Sequence, residues 1–383
     1  MTSTTTSTLP LWRSSHAEPA VARIAIAGDF LPAWRCDRPI HLSWRAAAEK
    51  LAPSFDDISA FFANLECCLN AGGLPSRTLA GLGDIVSAPA ASLDFLEAFR
   101  TVAVGIANNH SYDFGVAGIE RTRAAIAGSS IVPLGAGRTL RNPPEVFVWH
   151  GPHSVRVGFW AAATATRDPA KPSKPGVEPA TFDRAREALD AMNHLGASTR
   201  IALLHAGCLR TSRPDPEQLR LMDSLAALGF DVVAASHSHR IAGHRQFARK
   251  NGGASFSFYG LGSIVSGYAS SPLEREGLVV VAGLDRHGRM ASLEVRPVLL
   301  DAAGLGATPS RASGCEILNR FTAFSAEIAD GSWEQRFYRE ISQGLLRVYA
   351  RDISAAFRAG GIRALARKTS RVRLSHLRRL AHR

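Results

Sequence analysis

Ala107-Asn-Asn-His-Ser-Tyr-Asp-Phe-Gly115 closes the apolar run Thr101 to Ala107 and opens the helical pattern Gly115 to Ala127. Amides, an imidazole and a carboxylate are thereby gathered between a short buried strand and a helix. Open α/β sheets collect ligands at this place, the carboxyl ends of their strands. Four other segments have the same form: Gly28-Asp29, Asn64-Leu-Glu66, His205-Ala-Gly207 and His237-Ser-His239 each follow an apolar run.

The runs themselves read as strands separated by helices. Arg23 to Ala27 is stopped by Gly28-Asp29 and predicts a buried strand feeding a loop; Ser154 to Ala161, Arg200 to Leu204 and Asp231 to Ala235 are similar. Helices are expected over Ser87 to Arg100, Gly115 to Ala127, Asp183 to Leu195 and Asp215 to Leu228. In the last, Asp215 is the expected N-cap, Pro216 takes N1, Gln218 at N3 completes a capping box and Gly229 stops the helix. This alternation predicts an α/β sandwich. After residue 250, Phe256 to Tyr259, Gly277 to Ala282 and Ala291 to Val298 predict antiparallel strands closing a second sheet or its edge, with a turn at Asp285 to Gly288. Ala161 to Asp183 reads as a rim or lid. Beyond residue 301 the pattern is helical: Ser332-Trp-Glu-Gln335 is a capping box, and Trp333, Phe337, Ile341, Leu345, Tyr349, Ile353 and Phe357 form a packing stripe.

Charge is unevenly placed. The 383 residues carry a formal net charge of +12. Residues 353–383 hold nine basic side chains and no acid, so the other residues are nearly balanced. Interleaved with Ile362, Leu365, Val372, Leu374, Leu377 and Leu380, these charges are open to two readings: a solvated or partner-docking tail, or a basic amphipathic helix on an anionic membrane surface. Specific nucleic-acid binding is not expected, because no base-stacking or groove-reading motif accompanies the arginines. Five cysteines without CxxC spacing predict reduced thiols, neither a disulfide scaffold nor a zinc ribbon. No signal-peptide pattern or long apolar segment is visible, so a cytoplasmic or membrane-peripheral protein is expected.

His237-Ser-His239 points to a metal, because residues i and i+2 of an extended chain face one side and could reach one ion or two adjacent ones. Read in order, Gly28-Asp29, Ala63-Asn-Leu-Glu66, Ala107 to Gly115, His205-Ala-Gly207, Asp231-Val-Val-Ala-Ala-Ser-His-Ser-His239 and Tyr259-Gly-Leu-Gly-Ser-Ile-Val265 resemble the CapA family of capsule and poly-γ-glutamate synthesis proteins, over roughly residues 23–300. The resemblance implies a four-layer α/β/β/α metallophosphoesterase-like sandwich, to which the helical pattern beyond residue 301 adds a C-terminal helical extension. It also implies one or two divalent metal ions (Mn, Fe, Zn or Mg) and a phosphorylated or polymeric anionic substrate. Carried over position by position, Asp29, Glu66, Asn109, His205, His237 and His239 are the implied metal ligands, with Glu66 bridging. His110 falls at the implied general acid, oriented by a carboxylate that could be Asp113.

Departures from the pattern accompany the likeness. Asp29-Phe-Leu31 lacks the His of the broader phosphoesterase Asp-x-His opening, a loss that CapA-like proteins share, and His205-Ala-Gly-Cys-Leu209 and Ala235-Ser-His-Ser-His239 alter the surroundings of the ligand histidines. Asn108 is read as satisfying turn backbone, Cys208 as a buried inert thiol, and Asp113 as either the orienting carboxylate or a helix cap. The organisation expected is a disordered tail over 1–22, the catalytic-type domain over 23–300, a helical extension over 301–360 and a basic tail over 361–383. Two functions are open on this reading: a phosphoesterase-type hydrolase in capsule or polymer synthesis, or a non-catalytic assembly component of that process.

Overall fold

The computed structural model describes residues 7–15, 18–33, 43–74, 85–164, 166, 168–249 and 253–344. It divides into Met1–Glu334 and Gln335–Arg383. In the second unit residues 335–344 are helical; Leu345, Tyr349, Ile353 and Phe357 of the stripe, and the basic tail, lie outside the described residues.

In the first unit the apolar runs become strands whose side chains alternate between two cores. Ile24 and Ile26 enter one apolar cluster and Ala25 and Ala27 the other; Phe62 and Phe61, then Val280 and Val279, divide in the same way. A strand that is apolar on both faces must be covered on both. Among the described residues, a nine-stranded sheet runs in the order Leu9–Arg13, Met290–Leu300, Glu276–Leu284, Ala22–Leu31, Ala60–Leu65, Thr101–Gly105 and Val132–Leu134; Ser263–Ser266 pairs with Ala22–Leu31, and Gly306–Ala307 with Met290–Leu300. A six-stranded sheet follows the order His244–Ala248, Ala254–Phe258, Val232–Ser236, Thr199–His205, Arg156–Ala163 and Val146–His150. Trp44–Glu49, Leu93–Glu97 and Gly115–Ala127 cover the outer face of the first sheet, and Phe182–His194 and Pro216–Leu228 that of the second. Phe62 against Phe159, 4.7 Å between ring centres, marks the middle of the inter-sheet core. The result is the expected four-layer α/β/β/α sandwich. Arg311–Asp330 adds Ile317, Phe321 and Phe324 to the inter-sheet core.

Several local expectations are corrected. The 1–22 segment is not wholly a disordered tail: Leu9–Arg13 pairs antiparallel with Met290–Leu300, so the sheet begins before residue 23. Ser87 to Arg100 is not one helix. Ser87–Ala88 pairs with Cys68–Leu69, Pro89 keeps the chain extended, and only Leu93–Glu97 is α-helical. Ala254–Phe258 pairs antiparallel with His244–Ala248 as expected but parallel with Val232–Ser236 on its other side, while Glu276–Leu284 and Met290–Leu300 form the expected antiparallel hairpin. Asp215 caps its helix as expected, accepting from Glu217 N at 3.0 Å and Gln218 N at 2.8 Å. The reciprocal half of the box is absent, because the Gln218 amide donates instead to Tyr259 O at 2.8 Å, a buried carbonyl needing a partner. Among the described residues no helix is long and apolar enough to cross a membrane.

One irregularity positions the site. The strand expected to stop at Gly28 continues to Leu31, because Ser263–Ser266 pairs with Asp29–Leu31. Its register against Ala60–Leu65 shifts between Ile26 and Asp29. Unbroken alternation would send Asp29 to the helix-covered face; after the shift Phe30 and Leu31 lie in that outer cluster, and Asp29 meets the second sheet. Gly28 permits this, since a Cβ there would lie 2.0 Å from Gly262 O. Gly28→Ala is therefore expected to lower the melting temperature and reduce divalent-ion binding together; an unchanged melting curve with full ion binding would contradict this account of the strand.

Candidate metal centre

Parallel strands of both sheets end on one side of the sandwich. Asp29 pairs in register with Asn64, Asn64 with Gly105, and His205 with Ser236. Glu66 comes one residue after Ala60–Leu65, His205 is the last residue of Thr199–His205, and His237 follows Val232–Ser236. The sequence-expected ligands therefore converge, two carboxylates from the first sheet and three imidazoles from the second.

The donor atoms form two groups that share one residue. Glu66, His205 and His237 offer ligand atoms all within 4.8 Å of one another, and so do Asp29, Glu66 and His239. Asp29 Oδ2 lies 3.1 Å from His239 Nδ1 and accepts from His237 N at 3.2 Å. Glu66 Oε1 is 3.4 Å from His205 Nε2, and Oε2 is 3.7 Å from His239 Nδ1. Asn109 joins from the loop after Thr101–Gly105, its Oδ1 2.6 Å from His205 Nε2. Both oxygens of Glu66 and Nδ1 of His237 are buried without a hydrogen-bond partner among the described residues. Unpartnered buried acceptors are costly, and a divalent cation satisfies carboxylate oxygen, amide oxygen and neutral imidazole together. The residues present fit such an ion.

Electrostatics agree with the geometry. Burial opposes ionisation of Asp29, yet the hydrogen bond and charge of His239 and the Asn64 amide at 2.8 Å hold it well below the usual carboxylate range. Burial, then the charges of Asp29 and Asp113, push Glu66 well above its ordinary value. Burial, then His237, drive His205 well below the usual imidazole range; burial, then His239, bring His237 down to about 4. Both rings are thus neutral at pH 7, with lone pairs available.

The two histidines of His-x-His are not presented by extended chain. His237 has φ 110° and His239 φ 54°, so a turn in the left-handed region, disfavoured for such side chains, aims one ring at each donor group. His110 Nδ1 lies 2.7 Å from Asp113 Oδ2, which also accepts from Val86 N at 2.8 Å. Asp113 does not cap Gly115–Ala127, whose N-cap residue is Phe114. Asn108 satisfies turn backbone, donating to Leu65 O at 2.8 Å and accepting from His110 N at 3.1 Å. Cys208 is half-buried rather than buried and points to Asp215, 3.9 Å away; partial burial, then the charge of Asp215, push its thiol up to about 11. Asn64 and Ser263 stand in segments quoted from the sequence but were given no role there, and Tyr268 was not singled out. Asn64 orients Asp29, Ser263 Oγ lies 3.5 Å from His239 Nδ1, and the Tyr268 ring lies 5.3 Å from that of His239. Asn64 alone left a signal, its place two residues before Glu66.

Residues 23–268 match the family described as Bacterial capsule synthesis protein PGA_cap, well over half of the chain. The chain belongs to that family. No curated protein matches it. Among solved structures, NAD nucleotidase of Haemophilus influenzae is similar at 13% identity and TM-score 0.42, over 80% of this chain and 56% of that one. The 5'-nucleotidase precursor of Thermus thermophilus gives 14% and 0.43, over 81% and 59%. The calcineurin-like phosphoesterase YfkN of Bacillus subtilis gives 12% and 0.44, over 81% and 99%. This family member thus spans less than two thirds of the length of either nucleotidase.

Metal-free protein should reveal the strained carboxylate pair. A folded-state pKa above the unfolded one gives stability that is full below the unfolded value, 4.5 for Glu, and is lost as pH rises toward the folded value. In chelator, the melting temperature of wild type is therefore expected to fall relative to Glu66→Gln as pH rises through about 5 and above, and added Mn²⁺ to restore wild type much more than the variant. Parallel pH curves for the two proteins would contradict the buried, unpaired state of Glu66.

Proposed function

We propose that this capsule synthesis family member is a metal-dependent phosphoesterase-type hydrolase acting on a phosphorylated or polymeric anionic substrate. The observation that carries this reading is Glu66, buried with neither oxygen paired and shared by the two donor groups. Asp29, Glu66, His239, His205, His237 and Asn109 would hold one or two divalent ions. When bound, these would supply Lewis-acid stabilisation of a phosphoryl oxygen and an activated water.

The chain's own residues have distinct tasks. Asn64 fixes the rotamer of Asp29 from one side and the His237 N–H from the other, so this ligand atom keeps its direction. His110 holds Nδ1 against Asp113, which leaves Nε2 as the atom to carry a proton to the departing alkoxide. Asp113 is fixed in turn by Val86 N and accepts from Nδ1–H, so in the imidazolium form the second ring proton sits on Nε2, where the leaving group would take it. The His110 side chain is only 15% exposed, so its proton is largely shielded from bulk water.

Hydrolysis of bis(p-nitrophenyl) phosphate by Mn²⁺-loaded protein tests the proposal. Asp29→Ala and His239→Ala are expected to lose bound metal and turnover together. His110→Ala should keep its metal and lose kcat by roughly 10²–10⁴-fold, the span of a general acid; Asp113→Asn should lose less. Stoichiometric metal without turnover would overturn the hydrolase in favour of a metal-stabilised assembly component.

A further inference from the structure

From His239 a short series of contacts leads away from the donor cluster. The Tyr268 ring lies 5.3 Å from the His239 ring, and the Arg210 guanidinium sits 4.9 Å above the Tyr268 ring on a partly exposed side. Arg210 is anchored at Nε, 3.1 Å from Glu274 Oε1; its side chain is 41% exposed while that of Glu274 is 2%. Glu274 Oε1 also faces Arg240 Nη2 at 3.9 Å, and Oε2 accepts from Ser270 N and Oγ, both at 2.8 Å. One carboxylate thus serves two guanidinium groups.

The backbone shows that the placement of Arg210 is specified. Its φ is 62°, a left-handed conformation that a side chain of this size seldom adopts. Arg210 N donates to Ser238 O at 2.9 Å, the residue between the two histidines. The loop carrying the guanidinium is thereby latched to the turn carrying His237 and His239. A surface arginine needing only an ion pair has no use for such a latch.

We propose that Arg210, stacked on Tyr268, binds a second anionic group of the substrate, carboxylate or phosphate, next to the ester held at the metal centre. With Nε engaged by Glu274, the edge formed by the two terminal nitrogens remains for a forked contact with such a group. The inference rests on the hydrolase reading and narrows it: the substrate is a phosphoester whose neighbouring unit is itself charged.

The test is calorimetric binding to Mn²⁺-loaded protein of methylphosphonate, phosphonoacetate and methylenediphosphonate, which share one phosphonate and differ in a second anionic group. Wild type should prefer one or both of the doubly anionic probes, and which one is preferred tells carboxylate from phosphate. That preference over methylphosphonate should fall by about ten-fold or more in Arg210→Ala. Arg210→Gln, which keeps the stem over Tyr268, should lose it too, and Arg210→Lys should recover part. Chelation by the probes affects all variants alike and drops out of the comparison. No preference in wild type, or the same preference in Arg210→Gln with intact metal content, would overturn the inference. The readout is separate from turnover: a protein that fails to hydrolyse bis(p-nitrophenyl) phosphate yet loses the preference in Arg210→Gln refutes the hydrolase and retains the anion contact.

Discussion

Two carboxylates held out of water within the same pocket are the constraint around which the sandwich is arranged. Asp29 and Glu66 are both sealed from solvent, and the Asp29 charge raises the cost of ionising Glu66. Protein groups answer only one of them: Asn64, His239 and a backbone N–H stabilise Asp29, while neither Glu66 oxygen receives a hydrogen bond from a described residue. The asymmetry is chemically informative. A structural pair would be satisfied on both sides or replaced by apolar packing, whereas a pair awaiting a cation keeps one member open.

Much of this was legible in the chain. Apolar runs ending in Asp, Glu, Asn or His at Asp29, Glu66, Asn109, His205 and His237 imply strand ends on a common edge, since parallel strands bring their carboxyl termini together. Their order and wording also carried the family, which the match over 23–268 shows. The alternating cores were implicit in Arg23-Ile-Ala-Ile-Ala27 and Ala60 to Ala63, where both residue parities are apolar.

What was hidden has a shared physical cause, dependence on partners remote in sequence. That the Ala22–Leu31 strand passes through Gly28 depends on Ser263–Ser266 more than two hundred positions later. The pairing of Leu9–Arg13 depends on the Met290–Leu300 strand. Nothing local marks His237 or His239 as left-handed, because the pattern His-Ser-His is compatible with extended chain. Gln218 fits a capping box in every local respect, and only the buried Tyr259 carbonyl redirects it. Arg210, one of forty arginines in an alanine-rich chain, carries no signal at all until Tyr268 and Glu274 are placed beside it.

The division of ligands between the sheets has a mechanical meaning. Asp29 and Glu66 arrive on the first sheet, and His205, His237 and His239 on the second. A cation held by both sets would be a cross-link between the two halves of the sandwich, closing loops of 139 (Glu66 to His205) to 210 (Asp29 to His239) positions as a disulfide would, yet reversibly and only when the ion is present. Rigidity of the edge that carries these ligands would then be set by the supply of metal rather than by the polypeptide alone.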